Sequence, residues 1–163
     1  MSTLDKPQPP QLEPPGLPEQ SLVDAYRATD FEVKTAQTIL LRVDSPVPHL
    51  KDWLAAQRCE TAVVITAWNP FSQSLPKEEN ARRNRELRTA IEVKGFLIAP
   101  AVGRARTGGW EPEESFCVFN APPKFIDEWM KRFGQYAVLL ADKEPRLLWH
   151  PSVRAAMLAR EAL

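Results

Sequence analysis

The chain has 163 residues, of which 44% are hydrophobic and 26% are charged, as is ordinary for one soluble globular domain. Its 21 Lys and Arg residues balance its 21 Asp and Glu residues. Proteins that bind nucleic acids usually carry a basic excess, so the net charge makes a nucleic-acid partner unlikely on composition alone.

Neither export nor membrane insertion is expected from the sequence. No apolar run approaches the ~18 residues of a transmembrane helix, and the N-terminus lacks an apolar signal segment. Cys59 and Cys117 lie in apolar segments without CxxC spacing, which is typical of buried free thiols in a reducing compartment. We therefore expect a cytoplasmic protein with no membrane partner.

Proline dominates the start of the chain. Six prolines occur among residues 1–20, and proline removes a backbone donor and disfavours both helix and sheet. This pattern predicts a disordered Pro-rich tail over 1–20 and a single α+β domain over 21–163.

The remaining chain alternates between helical and extended patterns. Residues 31–43 alternate apolar and polar side chains, which predicts a strand, and residues 61–68 form a continuous apolar strand. Pro76 and Gly95 bound the longest helix. In chain order we predict a helix over 21–27, a strand over 31–43, a helix over 49–58, a strand over 61–68, a helix over 77–94, strands over 96–102 and 115–119, a helix over 122–132, strands over 136–141 and 146–149, and a helix over 151–163.

The order from residue 61 onward is β-α-β-β-α-β, which is that of ferredoxin-like folds. An extra β-α unit precedes this core, and one hairpin strand follows it. We therefore predict an α+β fold with a mixed or antiparallel sheet and packed helices. The alternative is a three-layer α/β arrangement, in which the two early β-α units wind onto both faces of the sheet.

Polar side chains collect where the strand over 61–68 ends. The segment T-A-W-N-P-F-S-Q begins at Thr66, and the buried stripe of the next helix continues backward from Ile91 to Asn84 and Asn80. A core-facing amide must find partners or cost ~1–3 kcal/mol. Asn69, Asn80 and Asn84 are therefore predicted to meet beside a helix N-terminus, where anionic groups bind well. Alternatively, these amides fasten the loop to the helix.

Further candidates come from two later strand ends. Arg104 follows Gly103 and has the guanidinium that clamps carboxylates or phosphates. Glu114 shares its strand face with Phe116, and a core-facing carboxylate must be paired, protonated or functional. Glu114 is the candidate general base, with a pKa raised by burial and with Arg104 as its expected partner. The predicted ligand-binding residues are Trp68, Asn69, Asn80, Asn84, Arg104, Ser115 and Gln135.

The common catalytic motifs are missing from the sequence. There is no GxSxG, P-loop, HExxH or glycine-rich dinucleotide fingerprint. His49 and His150 are far apart and each lies beside a proline, so neither a metal site nor a cofactor is predicted. If the protein is an enzyme, carboxylate and amide groups must carry the reaction.

Five short motifs occur in one order along the chain. They are T-A-W-N-P (66–70), E-N-A-R-R-N-R-E-L (79–87), G-R (103–104), E-S-F (114–116) and F-G-Q (133–135). In order and spacing they resemble a bacterial family, domain of unknown function 3293, over about residues 26–149. The resemblance implies a small cytoplasmic bacterial protein, and it brings no activity or catalytic residues with it.

Two functions agree with these observations. The first is the binding of a small polar or anionic ligand, nucleotide-like ligands included, with a carboxylate-based activity at Glu114. The second is a non-catalytic protein-interaction or regulatory module, in which Trp110 and Trp149 contact a protein partner. RNA binding by the arginines of the long helix is a weaker option, because glutamates alternate with them.

Overall fold

All strands in the described part of the chain join one antiparallel sheet. The computed structural model describes residues 10–162, and within them the chain forms seven strands and five α-helices. In chain order these are α1 (Gln20–Arg27), β1 (Thr29–Lys34), β2 (Thr38–Leu41), α2 (Leu50–Ala56), β3 (Ala62–Ile65), α3 (Lys77–Val93), β4 (Ile98–Ala105), β5 (Glu113–Phe119), α4 (Pro123–Phe133), β6 (Ala137–Ala141), β7 (Arg146–Trp149) and α5 (Pro151–Glu161), with a 3₁₀ turn at Pro70–Ser72 between β3 and α3.

The strand order in the sheet is β2-β1-β4-β5-β3-β6-β7. Every pair of neighbours is antiparallel. The predicted α+β class with an antiparallel sheet is therefore confirmed. No helix in the part of the chain that the structure describes is long and apolar enough to cross a membrane.

The prediction of a single strand over 31–43 was wrong, because this segment forms a hairpin of the two strands β1 and β2. Phe31 pairs with Leu41 and Val33 pairs with Ile39, so that 35–37 form the turn. In this hairpin, odd-numbered residues pair with odd-numbered residues, so paired residues lie on the same face of the sheet. The alternation of apolar and polar residues therefore continues through the turn without interruption, and alternation alone could not locate the turn.

Both faces of the sheet are buried. The neighbouring residues Val63 and Val64 of β3 point to opposite faces, yet they are only 1% and 3% exposed. On one face, α3 and α4 pack their apolar stripes, which include Leu87 and Trp129. On the other face, α2 packs through Trp53 and its neighbours. A strand covered on both sides explains why residues 61–68 read as one continuous apolar run.

The segment before α1 contacts the folded domain. The Leu12 N–H donates to the carbonyl of Lys131 at 2.6 Å. The Leu12 carbonyl lies 3.0 Å from Nε2 of His150, whose Nδ1 accepts from the Ser152 N–H at 3.1 Å. Nε2 must therefore carry the ring proton and donate it to Leu12. These bonds involve the segment predicted to be a disordered tail, of which residues 1–9 lie outside the described residues, as does residue 163.

Candidate functional site

A cavity of about 300 Å³ opens between helix α1 and the sheet. Leu22, Ala25 and Tyr26 of α1 form one side of it, and their i, i+3, i+4 spacing places them on one face of the helix. Thr29 fixes this helix to the sheet, because its hydroxyl donates to the carbonyl of Ala25 at 2.6 Å. Gly103 of β4 also lines the cavity and pairs with Phe31 of β1.

The wall of the cavity combines aromatic rings with a few polar groups. Such a composition is typical of pockets for small molecules. The aromatic residues of the wall are Tyr26, Phe31, Trp68, Trp110 and Tyr136, and its polar residues include Thr29, Asn69, Glu113, Ser115 and Gln135.

Glu113 is the carboxylate of this wall, and it is half-buried at the start of β5. Burial raises the pKa of Glu113 to about 7. Among the residues that the structure describes, none of the ion pairs involves Glu113. Burial, and next the charge of Glu113, raise the pKa of the Tyr26 phenol well above its usual range, so this phenol is neutral. Glu113 is thus poised to gain or lose a proton near neutral pH.

Asn84 of α3 is fully buried beside the cavity and braces three chain segments. Its Oδ1 accepts from the N–H of Ala67 at 2.8 Å, and its Nδ2 donates to the carbonyl of Glu114 at 2.8 Å. The hydroxyl of Thr66 donates to the same carbonyl at 2.7 Å. The amide therefore joins α3 to the end of β3 and to β5.

Asn80 and Asn69 fasten the loop between β3 and α3. Oδ1 of Asn80 accepts from the N–H of Asn69 at 2.8 Å, and Nδ2 of Asn80 donates to Oδ1 of Asn69 at 2.7 Å. The same Nδ2 donates to the carbonyl of Leu75 at 3.2 Å. Asn69 and Asn80 contact each other, whereas the partners of Asn84 are Thr66, Ala67 and Glu114. Asn80 and Asn84 direct their amides at the loop and at β5, as the fastening alternative requires.

Gln135 and Arg83 continue this bracing toward α4. Nε2 of Gln135 donates to the carbonyls of Trp68 and Phe133, each at 3.3 Å. Nε of Arg83 donates to the carbonyl of Ala67 at 2.9 Å. The loop after β3 is thus held from α3 and from the segment that follows α4, which fixes the backbone on either side of Trp68.

Arg104 and Glu114 lie outside the cavity. Arg104 is exposed and forms an ion pair with Glu32 at 3.8 Å. Glu114 is also exposed, and its strand neighbour in β4 is Val102 rather than Arg104. The expected pair of Arg104 and Glu114 is therefore not formed, because the register of β5 carries Glu114 past the edge of the core.

The structure thus divides the predicted site residues into three groups. Trp68, Asn69, Ser115 and Gln135 line the cavity. Asn80 and Asn84 lie behind it in the bracing network, and Arg104 and Glu114 lie on the surface.

Sequence reasoning missed Glu113 and Tyr26. Both faces of β5 are buried from Ser115 to Phe119, so alternation could not tell which face of the strand leads into a cavity. The signal for Tyr26 was available, since Leu22, Ala25 and Tyr26 share a helical face. Within the described range, no group of three or more His, Cys, Asp or Glu could hold a metal ion.

Residues 65–138 match the model of a family described as protein of unknown function (DUF3293). The match confirms, over these residues, the resemblance to this family that the five motifs indicated. Comparison with curated proteins and with solved structures gives no match. The DUF3293 segment runs from the last residue of β3 into β6 and contains Trp68, Glu113 and Gln135, whereas Tyr26 lies outside it. The cavity therefore combines DUF3293 residues with residues of the preceding helix.

Proposed function

We propose that this protein binds a small ligand in the cavity between α1 and the sheet. The observation that carries the proposal is the convergence of Trp68, Glu113, Ser115 and Gln135 on one cavity of about 300 Å³. This volume is at the lower end for small-molecule pockets, so the ligand is compact. The rigid loop behind Trp68 supports the proposal, because a preformed wall lowers the entropic cost of binding.

This proposal keeps the polar ligand that the sequence predicted. It does not keep the anionic ligand, because the wall residues that the structure describes offer no positive charge to bind it. Arg104 would have neutralised an anion, and it pairs with Glu32 on the surface instead. The described wall contains no Lys, Arg or His. A buried anion without a cation or several donors is costly.

A thermal-shift screen of small polar compounds tests the proposal. A ligand of the cavity should raise the melting temperature of the wild type and lose this effect in Ala25→Leu, which fills the cavity from α1. Ser21→Leu is the matched control, because Ser21 is exposed on the same helix. Compounds that stabilise Ala25→Leu as much as the wild type would show that binding occurs elsewhere and would refute the proposal.

The carboxylate-based activity is proposed for Glu113 rather than for Glu114. A carboxyl group with a pKa of about 7 can accept and donate a proton at neutral pH, as a general acid or base must. If a compound from the screen is turned over, Glu113→Gln should abolish turnover even when the compound is saturating. Full turnover by this variant would exclude the activity.

A protein-interaction module is the second proposal. Trp110, Leu97 and Leu158 support it, because they are large hydrophobic residues that are 39%, 52% and 66% exposed. Single exposed hydrophobic residues are common on monomers, so this proposal ranks below the cavity. It predicts a partner that co-purifies with the wild type and is lost with Leu158→Ser, while no small compound changes the melting temperature.

Two finer statements from the sequence also stay proposals. The order β4-β5-β3-β6 within the sheet supports a ferredoxin-like core. The free thiols of Cys59 and Cys117 support a location in the reducing cytoplasm. Titration of the thiols in protein isolated from its native cells would test the location, and a disulfide would contradict it.

A further inference from the structure

The charge of the cavity wall selects among ligand classes. Glu113 contributes a carboxylate, and within the described residues no Lys, Arg or His contributes a positive charge. The same wall includes four aromatic residues besides Phe31, namely Tyr26, Trp68, Trp110 and Tyr136. A carboxylate among aromatic rings is the arrangement by which proteins recognise organic cations, because the ring faces carry partial negative charge.

Resting on the proposed function, we propose that the ligand is an organic cation, a compact amine or quaternary ammonium whose charge lies against the Glu113 carboxylate and the aromatic rings. The apolar part of the ligand then contacts the aliphatic floor that the sheet provides through Val64 and Leu139.

The electrostatics of Glu113 support this assignment. Burial is the cause of its raised pKa, and no ion pair offsets that burial in the described part of the chain. A bound cation supplies the missing opposite charge, whereas an anion would add a second negative charge to the same site. Burial therefore makes the ionised form of Glu113 unfavourable, and a bound cation offsets this electrostatic cost.

The hydrogen-bonding groups of the wall also favour a ligand that donates. The Gln135 amide nitrogen is already used by the carbonyls of Trp68 and Phe133, and its Oε1 takes part in none of the described hydrogen bonds. The Ser115 hydroxyl donates to the carbonyl of Glu113 at 3.3 Å. The acceptors that are left suit an ammonium N–H or a ligand hydroxyl.

Calorimetric titration of the full-length wild type distinguishes charge from shape. The probes are choline chloride, methylammonium chloride, 3,3-dimethylbutan-1-ol and sodium acetate. The alcohol is the neutral isostere of choline, with a carbon atom in place of the nitrogen. We expect a cation to bind at least tenfold more tightly than the neutral isostere, and acetate to show no binding.

Two variants assign the effect to Glu113. Glu113→Gln should weaken cation binding at least tenfold, whereas Glu111→Gln should leave it unchanged, because Glu111 is exposed on the same segment and lies outside the wall. Below a pKa of about 7 for Glu113, the affinity of the wild type should fall up to tenfold for each pH unit. Binding that does not change with pH in the wild type would overturn the assignment.

The remaining outcomes separate this inference from the proposed function. Equal binding of choline and its neutral isostere, or binding of acetate alone, would overturn the cation and leave the cavity as a ligand site. Failure of both cations would overturn the cation as well. The proposed function would then survive only if the thermal-shift screen still yields a compound whose effect disappears in Ala25→Leu.

Discussion

The side chain of Asn84 donates a 2.8 Å hydrogen bond to the carbonyl of Glu114 and so joins helix α3 to strand β5. The other end of the same amide accepts from Ala67, which follows β3. Because the Asn84 amide is fully buried and both of its ends bond to the backbone, its role is structural. It holds the loop that contains Trp68, a residue of the cavity wall. Asn84 is therefore expected to act on stability rather than on ligand contact.

Replacing Asn84 should destabilise the protein. Asn84→Ala leaves the N–H of Ala67 and the carbonyl of Glu114 without this partner, so the free energy of unfolding should fall by about 1–3 kcal/mol. Urea denaturation followed by circular dichroism measures the change. Arg85→Ala is the control on the same helix, since Arg85 is exposed, and it should change stability by less than about 0.5 kcal/mol. Equal losses of stability in the two variants would show that the hydrogen bonds of Asn84 do not stabilise the fold.

Gly134, which ends α4, should not tolerate a side chain. Its φ is +65°, and a Cβ there would lie 3.0 Å from Cβ of Pro70 and 3.1 Å from Cδ1 of Leu12. A proline ring carbon cannot rotate away. Gly95 also has a positive φ, of +80°, but a Cβ on it meets nothing within 4 Å. Gly95→Ala should cost the ~1–2 kcal/mol of a left-handed residue, and Gly134→Ala about 1–3 kcal/mol more. Thermal unfolding of both variants tests the difference, and equal losses would show that the loop moves aside.

Ionisation of Glu113 should lower stability as the pH rises. Its carboxyl group has a pKa of about 7 in the folded protein and an ordinary pKa of 4.5 without burial. The folded state therefore holds this proton more tightly, and its stability is lost between pH 4.5 and about 7 as the proton leaves. At ~1.4 kcal/mol for each pKa unit, the loss reaches about 3 kcal/mol at most.

Glu113→Gln removes this loss. At pH 8 the variant should be more stable than the wild type by up to about 3 kcal/mol, and the two should converge near pH 4. Glu111→Gln is the matched control and should follow the wild type at every pH. Parallel pH profiles for Glu113→Gln and the wild type would mean that Glu113 is hydrated in the folded protein.

His150 should make the protein sensitive to acid. Burial lowers the pKa of His150, while Glu13 and Asp127 oppose this effect and Lys131 adds to it. Since the unfolded chain takes up the proton near the ordinary pKa of 6.5, the contribution of His150 to stability should fall as the pH drops below 6.5. Protonation would also place a hydrogen on Nδ1, where it faces the N–H of Ser152.

The variant His150→Asn separates the two roles of His150, which are to accept the Ser152 N–H at the start of α5 and to bind a proton at acid pH. Asparagine keeps an acceptor for the N–H of Ser152 but cannot titrate, so the stability of the variant relative to the wild type should increase between pH 6.5 and pH 5. His49→Asn is the control, because the His49 side chain is 84% exposed. Chemical denaturation at pH 5, 6 and 7.5 measures the three proteins. An unchanged acid dependence in His150→Asn would assign the effect to other groups.

The sequence predicted the elements better than the site. Periodicity, Pro76 and Gly95 located α3, because local backbone preferences determine where a helix begins and ends. The predicted contact between Asn69 and Asn80 is present, whereas Asn84 bonds to Ala67 and Glu114 instead. The choice of Glu114 over Glu113 came from assuming one buried face for β5. That assumption fails in a sheet with helices on both sides.

The cavity itself could not be read from periodicity. It arises from where α1 lies on the sheet, which brings Tyr26 to Glu113 although 86 residues separate them in the sequence. Nothing in the sequence of α1 specifies which strands it covers. The two faces of a helix can be predicted locally, but its partner depends on tertiary packing.

The most direct test of the cavity as a ligand site is chemical-shift mapping by NMR on the ¹⁵N-labelled full-length protein. A compound from the thermal-shift screen is titrated into it. We expect saturable chemical-shift changes at the backbone amides of five residues of the cavity wall, Tyr26, Thr29, Glu113, Ser115 and Tyr136. We expect no change at Arg160 near the end of α5. Shifts confined to residues outside the cavity wall, or no shifts with any stabilising compound, would contradict the cavity as a ligand site.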